Sequence, residues 1–510
     1  MSFKKRSVTT ARESKRLARK KQAINTAMQK GTPLGLQFSP LSQEDLIKIH
    51  RAAPELLAKT GVAGATPKVK ELASRHGCEI NALDRILFPP ALIEDLIDKA
   101  AKSFPVYGRS EAFDWEARNG TVNFCTGGAA VSMLDLDSQK YRPSTLSDLY
   151  DLARLCDTLE NIQWFARPVV ATDIEDLYDL DINTVYACLR GTQKHIATSF
   201  SKGEHVYRIE PLLDLACQAS SRFRDRPFCT VHATNIVSPL TFASDSLDVT
   251  CAAVDIGMPV HSQTGPQSGA TAPAALAGTL VQGVAESLAS LAVINMLKPG
   301  HPVIIGNWVF VSDLRTGAFS GGGAEQALLG AASGQLSAFY GIPGGMGAGM
   351  TDSKLPDNQS GFEKGLTMLA AGLSGGGLVF ESAGMLGSLL GCSHEAMVID
   401  NEMLSSIHRI ARGIEVNDET LSVEVISDAV NGPGHYLGHP QTMELMQTEF
   451  IYPDLADRAA PSDWESLGGH DIFKVAHQKA KQILNDHRPQ YIDEKSDQAI
   501  RSQFPIKLGI

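Results

Sequence analysis

The feature that most constrains this chain is an alternation that begins near Val122. Short apolar, β-branched or aromatic runs alternate from there with helical stretches. Eight runs qualify as strands: residues 122–125, 164–170, 195–200, 229–235, 258–264, 302–309, 339–346 and 378–382. Consecutive starts lie roughly 30–45 residues apart, the size of a βα unit with modest insertions. The stretch "PAALAGTLVQGVAESLASLAVINML" between the fifth and sixth runs is apolar or small almost throughout, as in a helix packed on a sheet. Eight β-then-α units in unbroken order predict an α/β fold of the closed (β/α)8 type rather than an open sheet. The seventh run has three glycines and a proline in its interior, which a strand disfavours.

Four segments follow from this pattern. Residues 1–40 form a basic N-terminal arm, and residues 41–120 an N-terminal helical extension containing "SQEDLIKIHRAAPELLAKTG" and "PPALIEDLIDKAAKSF". The barrel takes residues 121–400, and residues 401–510 form C-terminal helical additions that close the barrel or make subunit contacts in a homo-oligomer. Charge divides unevenly among these segments. Residues 1–30 hold ten Lys and Arg against Glu13, a local +9, so the body carries −20 of the net −11. A basic arm on an acidic body suits docking to an acidic surface, though a solvated terminus has the same composition. Nucleic acid is a poor partner, because the arm has one aromatic, Phe3, and the body repels phosphate.

No run of 18 uncharged apolar residues marks a membrane span, and the basic N-terminus lacks the apolar stretch of a secretory signal. The eight cysteines are scattered without a CxxC pair and read as reduced thiols of a cytoplasmic protein.

Barrels of this class build their sites from the loops after the strands. The segment "GGMGAGMTDSKLPDNQSGFEKG", residues 344–365, is such a loop, running into a helix whose N-terminus favours anions. Three readings fit it. The glycines of 344–349 could cradle a phosphate, although neither GxxxxGK[ST] nor GxGxxG is present. Asp352, Ser353 and Asp357 could simply cap and solvate the helix start. Alternatively, Asp352, Asp357, Gln359 and Glu363 form an acid/base or cation-orienting cluster, the reading adopted as catalytic here. The same strand-end rule selects Asn235 after the fourth strand, Trp308, Phe310 and Arg315 after the sixth, and Glu381 at the eighth. Trp164, Tyr340 and Phe380 add rings on or just past strands; aromatic faces hold quaternary ammonium groups at ~0.5–2 kcal/mol each. No HExxH or Cys/His zinc spacing is present, and His435 and His439 sit among glycine and proline. No metal site is predicted.

Seven motifs in order, "TNIVSPL", "GATAPAALAGTLVQGVAESLASLAV", "KPGHPVIIG", "DLRTGAFSGGGAEQALLGAA", "TDSKLPDNQSGFEKG", "VIDNEML" and "GPGHYLGHPQTM", resemble the trimethylamine methyltransferase family from about Leu41 onward. The resemblance implies a (β/α)8 barrel that moves a methyl group from a methylated amine to the Co(I) of a corrinoid. That corrinoid is carried by a separate small corrinoid-binding protein, with no cofactor bound tightly by the chain itself. Archaeal trimethylamine members carry a pyrrolysine in the barrel, whereas this chain has only ordinary residues. The absence points toward a quaternary amine such as a glycine betaine, which is already charged and leaves without a proton. On this reading Arg315 or His232 would take a substrate carboxylate. The resemblance leads one to expect a histidine where Glu381 stands, and a carboxylate there suits a cation.

Overall fold

The computed structural model describes residues 32–33, 37–217 and 222–509; the basic arm of residues 1–30 lies outside them. Eight parallel strands form one sheet: β1 (Thr121–Phe124), β2 (Phe165–Ala166), β3 (Ile196–Thr198), β4 (Cys229–Val237), β5 (Val260–Thr264), β6 (Val303–Asn307), β7 (Gly344–Gly347) and β8 (Gly377–Phe380). The ring closes between β1 and β2 through a parallel bridge from Cys125 to Trp164. Gln163 reinforces that seam. Its backbone N–H donates to the Phe124 carbonyl at 2.8 Å, and its side-chain oxygen accepts from the Phe124 N–H at 2.6 Å.

Each strand is followed by a helix, as the alternation predicts. They are α4 (Leu146–Thr158), α5 (Leu177–Gly191), α6 (Gly203–Ala216), α7 (Ser244–Ile256), α8 (Leu276–Leu297), α9 (Ala324–Tyr340), α10 (Asn358–Gly372) and α11 (His394–Arg412). Their starts are set locally. Thr145 and Asp148 make a reciprocal capping box on α4, and Asp176 caps α5 through the Tyr178 and Asp179 amides. The helix α8 has a mean hydropathy of 1.5 over a span-length window, yet 89% of that window is buried inside the protein. Its inner side meets β5 and β6. Its outer side is covered by α1 (Gln43–Lys59), α2 (Pro67–Arg75) and α3 (Pro90–Lys99), the N-terminal helices. The one acid in α8, Glu286, is satisfied by the Ser238 hydroxyl, the Leu240 N–H and the Gln282 amide.

Two expectations need correction. Residues 104–117 form no α-helix: Phe104–Val106 and Trp115–Ala117 pair as antiparallel strands on either side of a short 3-10 turn, Glu111–Phe113, and Phe104, Val106 and Trp115 share a core cluster with Trp164 and Phe380. The seventh strand begins at Gly344, not at residue 339. Phe339 and Tyr340 complete α9, and Gly341 at φ +64° ends the helix in a left-handed cap that a side chain would strain.

The C-terminal additions are α12 (Val423–Asn431), α13 (Pro440–Leu445), α14 (Pro461–Ser466), α15 (Ile472–Asp486) and α16 (Glu494–Gln503). Of these, α15 packs on α11 and α4, and α16 packs on α6.

Candidate active site

Strand parity decides which side chains enter the barrel. From β4 and β5, His232 and His261 stand opposite each other in register, their ring centroids 4.5 Å apart. His261 stacks on Phe380 of β8 at 4.0 Å, with the two planes 6° apart. Trp164 from the β2 side approaches Phe380 at 5.2 Å, and Trp308, just past β6, approaches it at 5.3 Å. Glycine makes this packing possible. A Cβ on Gly345 would stand 2.8 Å from the Phe380 ring and 2.9 Å from His261 Nε2, so β7 must be bare there for the stack to form.

At the C-terminal end of this ring stack sits Glu381. It is 2% exposed and has φ +64°, a left-handed conformation that costs a non-glycine residue on the order of 1–2 kcal/mol. The turn is held in place: the Ser382 N–H donates to the Cys125 carbonyl at 3.0 Å, and the Gly384 N–H to the Asp400 carboxylate at 2.8 Å. Asp400 is itself paired with buried Lys364 at 2.6 Å. A Cβ on Gly347 would lie 3.2 Å from Glu381 Oε2, 3.3 Å from Met350 Cε and 3.5 Å from Phe310 Cε1, so the carboxyl reaches the gap between them.

Oε2 of Glu381 has no hydrogen-bond partner among the described residues, and neither do Nε2 of His232, both ring nitrogens of His261 or the indole N–H of Trp308. Buried polar atoms are ordinarily paired. Here several around one ring stack are not. Burial pushes the Glu381 carboxyl up to about 8. Burial pushes His232 down to about 3, with the nearby Arg167 charge adding to it, and holds His261 well below its ordinary value. At neutral pH Glu381, His232 and His261 are therefore uncharged, with the guanidinium of Arg167 close to His232.

The carboxylates of the loop after β7 do something different. Asp357 is exposed and caps α10, accepting the Ser360 N–H at 3.0 Å; that amide holds its carboxyl below the usual range. Asp352 accepts from the Ser320 hydroxyl at 2.7 Å, the Gly321 N–H at 2.8 Å and the Ser388 hydroxyl at 2.7 Å. Glu363 accepts from the Thr351 hydroxyl, the Asp352 N–H at 2.8 Å and the amide of the exposed Gln359 at 2.9 Å. The predicted cation cluster is thus a set of braces whose acceptors are occupied by the loop's own donors. A phosphate cradle at 344–347 is also not formed, because that backbone is a strand paired with β6 and β8 on its two sides.

Three further expected residues lie elsewhere. Tyr340 ends α9, before β7 begins and so at the opposite end of the barrel from the mouth, with its ring against His50 and Phe339. Asn235 faces outward, joined to Ser262 of β5 and Thr250 of α7. Asn235 stands three residues after inward-facing His232 on the same strand, so parity turns it away from the lumen. Arg315 is exposed at the tip of a hairpin and forks onto Asp313 at 2.9 Å. It lines a cleft of about 680 Å³ shared with Phe319, Ser320, Asp352, Lys354 and Ser388. Phe319 lies 5.0 Å from Phe310, which lies 6.3 Å from Trp308, so a run of rings leads from the cleft toward the lumen.

His261 was not selected from the sequence, although period two places it on the same face as Gln263 in the fifth strand. Arg167, directly after β2, was also missed. It is half-buried and enters no ion pair among the described residues. Among the described residues no His, Cys, Asp and Glu cluster of three or more could hold a metal.

The family model for trimethylamine methyltransferase (MTTB) matches residues 8–507. Trimethylamine methyltransferase MttB of Methanosarcina thermophila is 30% identical over 464 residues, 90% of this chain and 95% of the relative. Glycine betaine methyltransferase of Desulfitobacterium hafniense is 27% identical over 470 residues, 91% of this chain and 96% of the relative. Among solved structures, the monomethylamine methyltransferase MtmB of Methanosarcina barkeri aligns over 92% of each chain at 13% identity, with a TM-score of 0.49. This chain belongs to the trimethylamine methyltransferase family.

Proposed function

We propose that this methyltransferase takes a methyl group from a quaternary methylammonium held between Glu381 and the rings of Trp308 and Phe310. The acceptor in this reading is the Co(I) of a corrinoid carried by a small partner protein, which supplies the nucleophile. The observation that carries the proposal is the unpartnered carboxyl oxygen of Glu381 inside an aromatic-walled barrel end.

A permanent cation cannot shed its charge on entering a poorly hydrated site, so it needs an anion and polarisable faces. Glu381 becomes that anion by releasing its proton as the cation arrives. The rings exclude water and hold the N-methyl groups, turning one of them toward the mouth for in-line attack. When the C–N bond breaks, its electron pair stays on nitrogen, so the product is a neutral tertiary amine and no proton is needed. With the charge gone, Glu381 regains its proton and the hold on the product weakens. Because its attraction is strongest for the fully charged ground state, Glu381 governs affinity more than the rate of the chemical step. The second reading, a substrate with a carboxylate such as glycine betaine, is favoured by the unpaired cation of Arg167 near His232.

The test mixes the chain with a Co(I) corrinoid protein and, separately, tetramethylammonium, glycine betaine, carnitine and trimethylamine, following the corrinoid absorption spectrum. Methylation of the corrinoid by a quaternary amine supports the proposal. No spectral change with any of the four overturns it.

A further inference from the structure

Residues 413–470 form the least buried part of the described chain. Ile414, Val423, Ile426, Val430, Leu437 and Phe450 are each 49–85% exposed. Val423, Ile426 and Val430 recur at three and four residues along α12, which places them on one uncovered stripe. The same stretch holds eleven acids against a single base, Arg458. Among the described residues only Glu449 and Asp454 of those acids are held in ion pairs. A soluble surface rarely leaves so many large apolar groups bare on one segment. Whatever covers this one has to be both basic and apolar.

The chain carries such a segment. Residues 1–30 have a net charge of +9. Leu17, Ile24 and Met28 add apolar side chains to that charge. The two segments also start from one place. Thr32–Pro33 pairs with Thr121 and Val122 of β1, and α11 packs on that short strand. The ring of His408 on α11 lies 5.2 Å from Phe124 of β1, and α11 ends at Arg412, immediately before the acidic stretch. Thirty-one residues extended span up to ~100 Å, far more than is needed to reach a neighbouring surface.

We infer that the basic N-terminal arm, residues 1–30, docks on the acidic apolar face of residues 413–470 in the same chain. Its apolar residues cover α12, and its lysines and arginines meet the unpaired acids. The juxtaposition of an uncovered −10 surface with the entry point of a +9 arm carries the inference.

The experiment is zero-length carbodiimide cross-linking of the full chain, read by mass spectrometry on a mixture of ¹⁴N- and ¹⁵N-labelled copies. Expected are links from lysines of 1–30 to acids of 413–470 within single-isotope species, falling at least five-fold in 1 M NaCl, where the Debye length is ~3 Å. A variant with Lys15, Arg16, Lys20 and Lys21 each changed to Glu should lose those links. Its residues 413–470 should be cut at least ten-fold faster by limited proteolysis, with the far-ultraviolet circular dichroism of the barrel unchanged. If the variant does not fold, the wild-type chain in 1 M NaCl supplies the proteolysis comparison. Absence of the links, links found only between different isotopes, or unchanged proteolysis would each overturn the inference.

Discussion

Replacing Glu381 by Gln keeps the shape of the side chain and removes its capacity to become an anion. The magnitude follows from two opposing terms. A carboxylate about 4 Å from a cation gains ~4 kcal/mol at an effective dielectric of 20. Ionising a carboxyl pushed up to about 8 costs ~1.4 kcal/mol at pH 7. The net of ~2.6 kcal/mol corresponds to binding weakened about 80-fold in E381Q at pH 7. Wild-type affinity should also rise roughly nine-fold from pH 6 to pH 7 and only about two-fold from pH 8 to pH 9, as the free carboxyl passes its midpoint. E381Q should show neither rise. Isothermal titration with tetramethylammonium, whose charge is independent of pH, reads both effects. A variant binding within three-fold of wild type, or keeping the same pH slope, would refute the reasoning.

Four further outcomes are expected. Asp357→Ala should cost the chain about 1 kcal/mol through the lost cap on α10, measured by urea unfolding, and change tetramethylammonium affinity less than two-fold; a loss of ten-fold or more would restore Asp357 as a cation ligand. Gly345→Ala should cost ~1–3 kcal/mol, because its Cβ forces the stacked His261 and Phe380 apart, and thermal melting would show it. Trp308→Leu should weaken cation binding by ~0.5–2 kcal/mol while leaving the affinity of an uncharged isostere unchanged. Finally, the unliganded chain should be most stable near pH 6.5. Glu381, raised in the fold, loses its contribution as pH climbs toward 8, at a cost of ~1.6 kcal/mol between pH 6.5 and 8, whereas His195, His232 and His408, lowered to about 4, 3 and 4, lose theirs as pH falls below 6.5. Melting temperature against pH reads both limbs, and E381Q should flatten the alkaline one.

The barrel was legible because each βα unit must bury a two-sided strand and one helix face, and that requirement writes itself as alternating texture. The seventh strand was misplaced because Phe339 and Tyr340 have strand propensity, while the signal that overrules them is the left-handed Gly341 after them. The misplaced start then carried Tyr340 to the wrong end of the barrel. The loop acids were legible as polar groups at a helix start, but capping and cation binding use the same residue types; only their partners separate the two. Glu381 stood out because it ends the eighth strand, on the face where barrels build their sites. His261 could have been found, since His232 and His261 hold the inward parity of adjacent strands. Asn235 could have been set aside by the same rule, since it stands three residues from His232 on one strand and therefore on the opposite face.

The most direct measurement is the number of protons released when tetramethylammonium binds, obtained by titrating at pH 7 in two buffers of different ionisation enthalpy. With Glu381 protonated in the free site and ionised beside the cation, the account predicts about 0.9 protons released in the wild type and none in E381Q. Binding with no proton release would mean that the cation sits elsewhere or that Glu381 does not face it.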